Sequence, residues 1–462
     1  MGVKRSRATS PILEIAMRNV HARSNAGSTI ERSAGGLRAG ARALGLGLLL
    51  ATFAPMAFAA SFGQARAAVD ELIAEALQHS PEIGAARRER DAAEQRIKPA
   101  GALEDPMLEA GVINVPTGSW SLRREDMTMK MLGLSQRLPF PGKRALREAV
   151  AARDAEIASY GYQETVNRVV RDVRVAHADL TLATESIRLI SQNKSVLEQF
   201  LRIAQSRYAV GQAAQADVLK AQTQLSKMVD ELLRMERERT SAAYELYRAL
   251  GRQGPLPPWR IEPLALEEND LNEQALIHAA ETERPQLRAL EVAVAKAGKS
   301  IELAKADYYP DFDVRLSYGQ RDRMPDGPRR DDMVSLTVGI NLPIWGATKR
   351  GPKVAEALAM SGQADEMYQA QRNETLMKLR QQIAAARQGV SSARLYQTTV
   401  IPQARVTVEA AIAAYKVGRV DLLTLLDSQM AAFTYEIELA QVLTARTKAL
   451  AEIDLLVGKE TK

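Results

Sequence analysis

The chain has 462 residues, of which 46% are apolar, 26% charged and 5% aromatic, and it contains no cysteine. So much apolar material excludes a disordered chain, and zero cysteine excludes a disulfide scaffold, thiolate metal sites, a cysteine nucleophile and lipid attachment through an N-terminal cysteine. The net charge of +6 resides in residues 1–43, where Lys4, Arg5, Arg7, Arg18, Arg23, Arg32, Arg38 and Arg42 face only Glu14 and Glu31; from Ala60 onward the charges balance, so no nucleic-acid partner is expected.

Behind that basic segment comes an apolar run, Leu44 to Phe53, then Pro55 and Ala57-Phe58-Ala59. A basic stretch, a short apolar core and a small-x-small site read as a secretory signal peptide over residues 1–59. The basic part is long enough to suggest a start-site error, with Met17 as another start. A tail-anchoring helix is the competing reading. No later stretch of ~18 uninterrupted apolar residues predicts a membrane-spanning helix. The mature chain is expected in the periplasm or the outer membrane.

A helix is predicted over about Leu72–Ala102, followed by two short strands around a polar loop, a hairpin at about 106–139. From Arg144 to Tyr208 there is no proline, and Gly161 is the one glycine. At 1.5 Å per residue such a helix spans roughly 90 Å. It breaks at Val210-Gly211 and returns as a second long helix, closing a first repeat at residues 60–254. Gly254, Pro255, Pro257, Pro258 and Pro263 mark a linker at 255–270. The order then recurs over 271–462: a helix at about Leu271–Ala306, a hairpin at about 310–343, and a long helical hairpin turning at Gly418.

This recurrence is an internal duplication. At an offset of 204, Pro81 pairs with Pro285, Pro106 with Pro310, Met129 with Met333, Leu138-Pro139 with Leu342-Pro343 and Gly142 with Gly346. At an offset of 207, Tyr208 pairs with Tyr415, Val210-Gly211 with Val417-Gly418 and Gly251 with Gly458. Alanine-rich composition alone would not pair prolines and glycines.

The strands alternate. Phe312, Val314, Leu316 and Tyr318 share one face, with Asp311, Asp313, Arg315 and Ser317 on the other. Val334, Leu336, Val338, Ile340 and Leu342 likewise oppose Met333, Ser335, Thr337, Gly339 and Asn341. Strands of about 10 residues can cross a tilted bilayer path, and Trp120, Phe140, Tyr318 and Trp345 fall near strand ends, where aromatic girdles sit. A soluble half-buried sheet alternates too. If the strands cross lipid, four cannot close a barrel and open edges are not tolerated there, so several copies must share one. The alanine-rich, mixed-charge helices suit close packing with wet outer faces, which leaves a soluble coiled-coil scaffold as an alternative.

Catalytic motifs are absent: no H-E-x-x-H, no phosphate-binding glycine loop and no G-x-S-x-G, so neither an enzyme nor a resident cofactor is expected. His79, His177 and His278 stand far apart in sequence. Met127, Met129 and Met131 alternate along one strand, and by analogy with the duplicate strand should face the lumen. Thioethers there would bind Cu(I) or Ag(I), or merely line and pack the pore.

The strand-end segment Leu134-Ser-Gln-Arg-Leu-Pro-Phe-Pro-Gly-Lys-Arg144, the two strand pairs and the two Val-Gly hairpins together resemble the TolC-like outer-membrane efflux proteins, over about Val69 to Gly458. The resemblance implies a mainly α fold with a transmembrane β-barrel. Each protomer would give four strands and long helical hairpins, and a homotrimer would form a 12-stranded barrel continued by a periplasmic α-barrel. It also implies docking of a periplasmic adaptor near Gly211 and Gly418, an inner-membrane pump of the resistance-nodulation-division type and contact with outer-membrane lipid. Pro139, Pro141, Gly142, Pro343 and Gly346 are the strand-end positions of this pattern. The Leu138-Pro-Phe-Pro-Gly-Lys-Arg144 form looks most like members exporting heavy-metal cations; a multidrug or type I secretion outlet is the alternative. Gating positions of the family carry over to Asp217, Tyr415 and Asp427. Where the family has a second aspartate and an arginine, this chain has Thr424 and Val420; Asp421, Arg419 and Lys416 are the charged neighbours left to substitute. Asp217 also stands where a helix N-cap would.

Overall fold

A computed structural model describes residues 69–256, 261–266 and 271–459. The expected leader lies outside these residues, as do residues 60–68 and parts of the linker.

The opening helix of each half is two helices. In the first half α1 (Val69–His79) stops and α2 (Pro81–Gly101) restarts; in the second, α5 (Glu273–Glu283) gives way to α6 (Pro285–Ala306). Each restart has proline at its first position. The preceding residues, Ser80 and Arg284, are extended, at ψ 122° and 118°. Proline has no N–H to continue the helix and pushes its predecessor out of the α region, so one predicted helix becomes an elbow.

Each elbow is backed by a glycine that is distant in sequence and adjacent in space. Gly251 and Gly458 end the long returning helices at φ +70° and +69°. A Cβ on Gly251 would stand 2.8 Å from His79 O, and one on Gly458 would stand 2.6 Å from Glu283 O. Glycine is required twice over at each position, by the left-handed backbone and by the close approach.

After α2, strands β1 (Met107–Ile113) and β2 (Met129–Leu138) form the first hairpin; β3 (Phe312–Gln320) and β4 (Met333–Ile340) form the second. They make one antiparallel sheet in the order β1-β2-β3-β4, so the two halves of the chain meet at the β2–β3 pair. Every residue of β4 is exposed in the single chain.

The first-half helices are uninterrupted: α3 (Lys143–Ala209) has 67 residues and α4 (Gln215–Leu250) has 36. At 1.5 Å per residue α3 runs roughly 100 Å. Its second-half counterpart is α7 (Gly351–Leu395) and α8 (Ile401–Lys416), joined through a π-turn at Tyr396–Val400; α9 (Leu422–Leu456) returns. Pro402, just past that turn, cannot donate to the carbonyl one turn back, which is a recognised cause of such a bulge.

Burial is distributed along the bundle. Leu72, Ile83, Val173, Leu246 and Leu250 form one cluster where α1–α4 meet; Leu379, Ile383, Ile453 and Leu456 form another at α5, α7 and α9. A third lies at the far end, with Leu197, Phe200, Tyr415, Leu422 and Leu425. Arg284, buried at the second elbow, donates to Thr375 Oγ1 and Gln286 Oε1 and lies 3.5 Å from Glu164. Burial pushes the Glu164 carboxyl above its ordinary range, against the pull of Arg284.

Candidate functional site

The sheet separates two chemistries. Paired residues in an antiparallel sheet share a face. Leu108, Leu134, Leu316 and Leu336 are successive cross-strand partners, a leucine row across all four strands. All four are exposed, at 68%, 48%, 51% and 70%. Tyr318 with Val334, Val314 with Val338 and Phe312 with Ile340 extend the same face. The opposite face carries Glu109, Ser135, Arg137, Asp313, Arg315, Ser317, Ser335 and Thr337, with Arg315 3.3 Å from Glu109. Water cannot reward an exposed leucine row; hydrocarbon can, and in a membrane barrel it faces lipid while the polar face lines the lumen.

Met129 and Met131 lie on the lumen face. Met127 does not belong to that stripe, because β2 begins at Met129 and Met127 sits in the preceding loop, 53% exposed. Met333 of β4 stands with the pair instead, across from Gly319 on the same face. At this end the two loops are tied together by buried Arg330, which donates to Glu125 O at 2.5 Å and to Asp322 O at 2.7 Å.

At the opposite end the sheet joins the helices through the strand-end motif. Pro139 is buried, Pro141 exposed, and Gly142 turns at φ +95° into α3. Lys143, 2% exposed, then crosses to the second half. Its Nζ donates to Tyr309 O at 2.9 Å and to Asp311 Oδ1 at 2.8 Å, with Asp307 3.8 Å away. Phe140 stacks on Tyr309 at 4.5 Å, and its N–H donates to Asp311 Oδ1 at 3.0 Å. The second copy of the motif differs: Pro343 is half-buried, and Gly346 opens a π-turn, Gly346–Arg350, rather than a left-handed bend. One contact is shared. Arg144 Nε donates to Gly101 O and Arg350 Nε to Asp307 O, each at 2.7 Å, satisfying carbonyls at the ends of α2 and α6.

The far tip consists of the two Val-Gly turns. Gly211 and Gly418 both have φ +74°. Gly211 N–H reaches Tyr208 O at 3.0 Å and Gln212 N–H reaches Arg207 O at 2.8 Å; Gly418 to Tyr415 and Arg419 to Ala414 repeat the pattern at 3.0 and 2.9 Å. Both are Schellman motifs, which explains the paired Val-Gly break.

Tyr415 is 4% exposed. Arg207 holds it: Nη1 donates to Tyr415 O at 2.6 Å, and the guanidinium lies 4.7 Å from the ring centre. The Tyr415 hydroxyl is buried beside the Arg207 guanidinium. Burial raises its pKa; Arg207 opposes the shift and the charge of Asp217 adds to it. Arg207 escapes sequence reading, although it is a cation in the last turn of α3 beside Tyr208, the duplicate of Tyr415.

The aspartates divide the remaining roles. Asp217 sits half-buried in the first turn of α4, whose N-cap is Ala214, so the capping role open to it is not taken. Asp421 takes that role on α9, accepting from Thr424 N at 2.9 Å and Thr424 Oγ1 at 2.6 Å. These bonds, the hydroxyl first, lower its pKa. Asp427 is exposed further along α9, and Lys416 and Arg419 are exposed at the turn.

A family model described as outer membrane efflux protein matches residues 72–252 and 276–459, most of the chain and once per repeat. The chain belongs to the outer membrane efflux protein family. It is 22% identical to outer membrane protein TolC of Vibrio cholerae over 368 residues, 78% of this chain and 83% of that protein. It is also 22% identical to the pyoverdine export protein OpmQ of Pseudomonas putida, over 59% of this chain and 58% of that protein. In fold it matches CusC at TM-score 0.72 and 17% identity, covering 86% of this chain and 96% of that one. VceC of Vibrio cholerae matches at TM-score 0.72 and 18% identity, over 84% and 96%. As an outer membrane efflux protein the chain is a channel component rather than an enzyme, placed in the outer membrane and reaching into the periplasm. Its fold class is mainly α with a transmembrane β-barrel, to which each protomer brings four strands.

Proposed function

We propose that three copies of this chain close a 12-stranded barrel and continue it as a helical tube, forming the passive exit duct of a tripartite efflux system. The leucine row on a sheet with two open edges carries this reading, since its edges require further strands in lipid. Residues 1–59 direct export. A periplasmic adaptor docks on the hairpin tips around Gly211 and Gly418, and an inner-membrane pump of the resistance-nodulation-division type drives the cargo. The cargo is heavy-metal cations, a reading supported by the methionines of the lumen face. An outlet for organic compounds is the second reading, favoured by a relative in Escherichia coli named multidrug resistance outer membrane protein MdtP.

Growth of a strain lacking this protein distinguishes the two. Sensitivity to one metal group among Cu/Ag and Co/Zn/Cd, restored by the gene, is expected. Sensitivity to dyes and detergents instead would overturn the metal cargo and leave the duct standing.

The tip is the gate, with Asp217 and Asp427 facing the axis and Tyr415 packed behind them in the grip of Arg207. Three copies of each aspartate around a narrow axis attract cations and repel one another. Asp427→Ala and Arg207→Ala are each expected to raise single-channel conductance in planar bilayers, Asp427→Ala also weakening block by multivalent cations. Wild-type conductance and block in both variants would remove the gate from this tip.

A further inference from the structure

Three methionines flank one bare backbone position near the outer end of the lumen. Met131 and Met333 are the direct cross-strand partners of Gly319, one on each side. With strands about 4.8 Å apart, their Cα atoms stand roughly 10 Å from each other across that glycine. Met129 is one pleat along β2 from Met131, on the same face. Its Sδ lies over Gly319, and a Cβ built there would collide with that sulfur and come within 3.3 Å of Met129 Cγ. The missing side chain at 319 is therefore what lets Met129 lean between its two neighbours.

Burial fits a cradle open on one side. Met129 is 9% exposed and Met333 39%, so the floor is packed and the mouth is accessible. On the far side of Met131 the partner is Gly111, again without a side chain. Each methionine has three rotatable bonds, so three sulfurs anchored around one glycine can converge on a single ion. Elsewhere, the sulfurs of Met228 and Met430 already accept from Asn193 Nδ2, at 3.4 and 3.5 Å. Among the described residues, no group of three His, Asp or Glu is placed to hold a harder cation.

We propose that Met129, Met131 and Met333 form a thioether site for a monovalent soft cation, Cu(I) or Ag(I), on the lumen wall beside Gly319. The site rests on the heavy-metal reading only for its role as a stage in export. Soft neutral sulfur selects soft monovalent ions over Mg²⁺ and Ca²⁺. Lacking an anionic ligand, it holds its ion loosely enough to release it outward, as conduction requires.

The test is titration of the purified full-length protein in detergent with silver nitrate in chloride-free buffer, followed by calorimetry and by X-ray absorption at the silver edge. One Ag(I) per protomer with a sulfur-only shell is expected. The triple variant Met129→Leu/Met131→Leu/Met333→Leu keeps volume and should keep the oligomer on a native gel, while weakening binding at least about tenfold. Gly319→Ala removes no donor but displaces Met129, and should weaken binding as well. Silver bound equally by wild type and the triple variant, or not bound by wild type, overturns the site. If silver binds as expected but the deletion strain tolerates Cu and Ag normally, the export role falls and the site stands. Sensitivity in that strain without silver binding removes the site and leaves the metal cargo standing.

Discussion

Leu316→Arg is expected to abolish assembly in the outer membrane. Leu316 lies in the middle of the leucine row, paired with Leu134 on one side and Leu336 on the other. Arginine on the lipid face near the midplane costs about 2–4 kcal/mol, and a trimer repeats that cost about three times, to roughly 6–12 kcal/mol per barrel. The control is Ser335→Arg, one residue from Leu336 on the lumen face, where the guanidinium meets water. Membrane fractionation and heat-modifiable mobility on gels read the result: Leu316→Arg absent from the assembled band, Ser335→Arg present. Equal loss of both, or equal tolerance of both, would mean that the two faces of the sheet are not lipid and lumen.

Lys143→Met is the second large effect. The substitution keeps an unbranched side chain of similar reach and removes the charge. The Asp311 carboxylate, 11% exposed, then loses the cation at 2.8 Å and keeps, among the described residues, the Phe140 N–H and Arg137 at 3.6 Å. Breaking one partner of a buried pair costs about 3–5 kcal/mol, because the other charge stays behind. A lower thermal midpoint in detergent is expected by far-ultraviolet circular dichroism. Adding Asp311→Asn should recover part of the loss, since the stranded charge is then gone. An unchanged midpoint in Lys143→Met would show that the joint between barrel and helices does not depend on this lysine.

Much of the fold is legible in the sequence because its signals are periodic. Alternation in β3 and β4 names both faces residue by residue, and the strand pairing bears those faces out. The absence of proline from Arg144 to Tyr208 matches one uninterrupted α3. Paired glycines at constant offset mark turns that need a left-handed residue. Other details depend on partners far away in sequence. The pattern predicts a single helix at the start of each half, yet proline at a first helical position makes an elbow. Whether a chain bends or merely begins again there depends on what packs against it, here Gly251 and Gly458.

The tip shows the same division. Tyr415 and Asp217 are readable as candidates from the positions they hold around the two Val-Gly turns. Arg207 is not, because nothing local tells a lysine or arginine at a helix end that its partner lies on another helix 208 residues on. Asp421 reads as a free charge in the sequence, and Thr424 makes it a cap. The methionine stripe runs one member too far for a related reason: alternation continues through Met127, but the strand begins only at Met129.

The duplication, the element types, the two faces of the sheet and the positions of the turns are written in the residues themselves, because periodicity, proline and glycine act through the backbone within a few residues. Folding in three dimensions is what pairs β2 with β3, buries Lys143 against Asp311, clasps Tyr415 with Arg207 and brings Met333 beside Met129 at Gly319. Those outcomes are set by contacts between the two halves of the chain. A local pattern carries no information about which distant surface will come to lie against it.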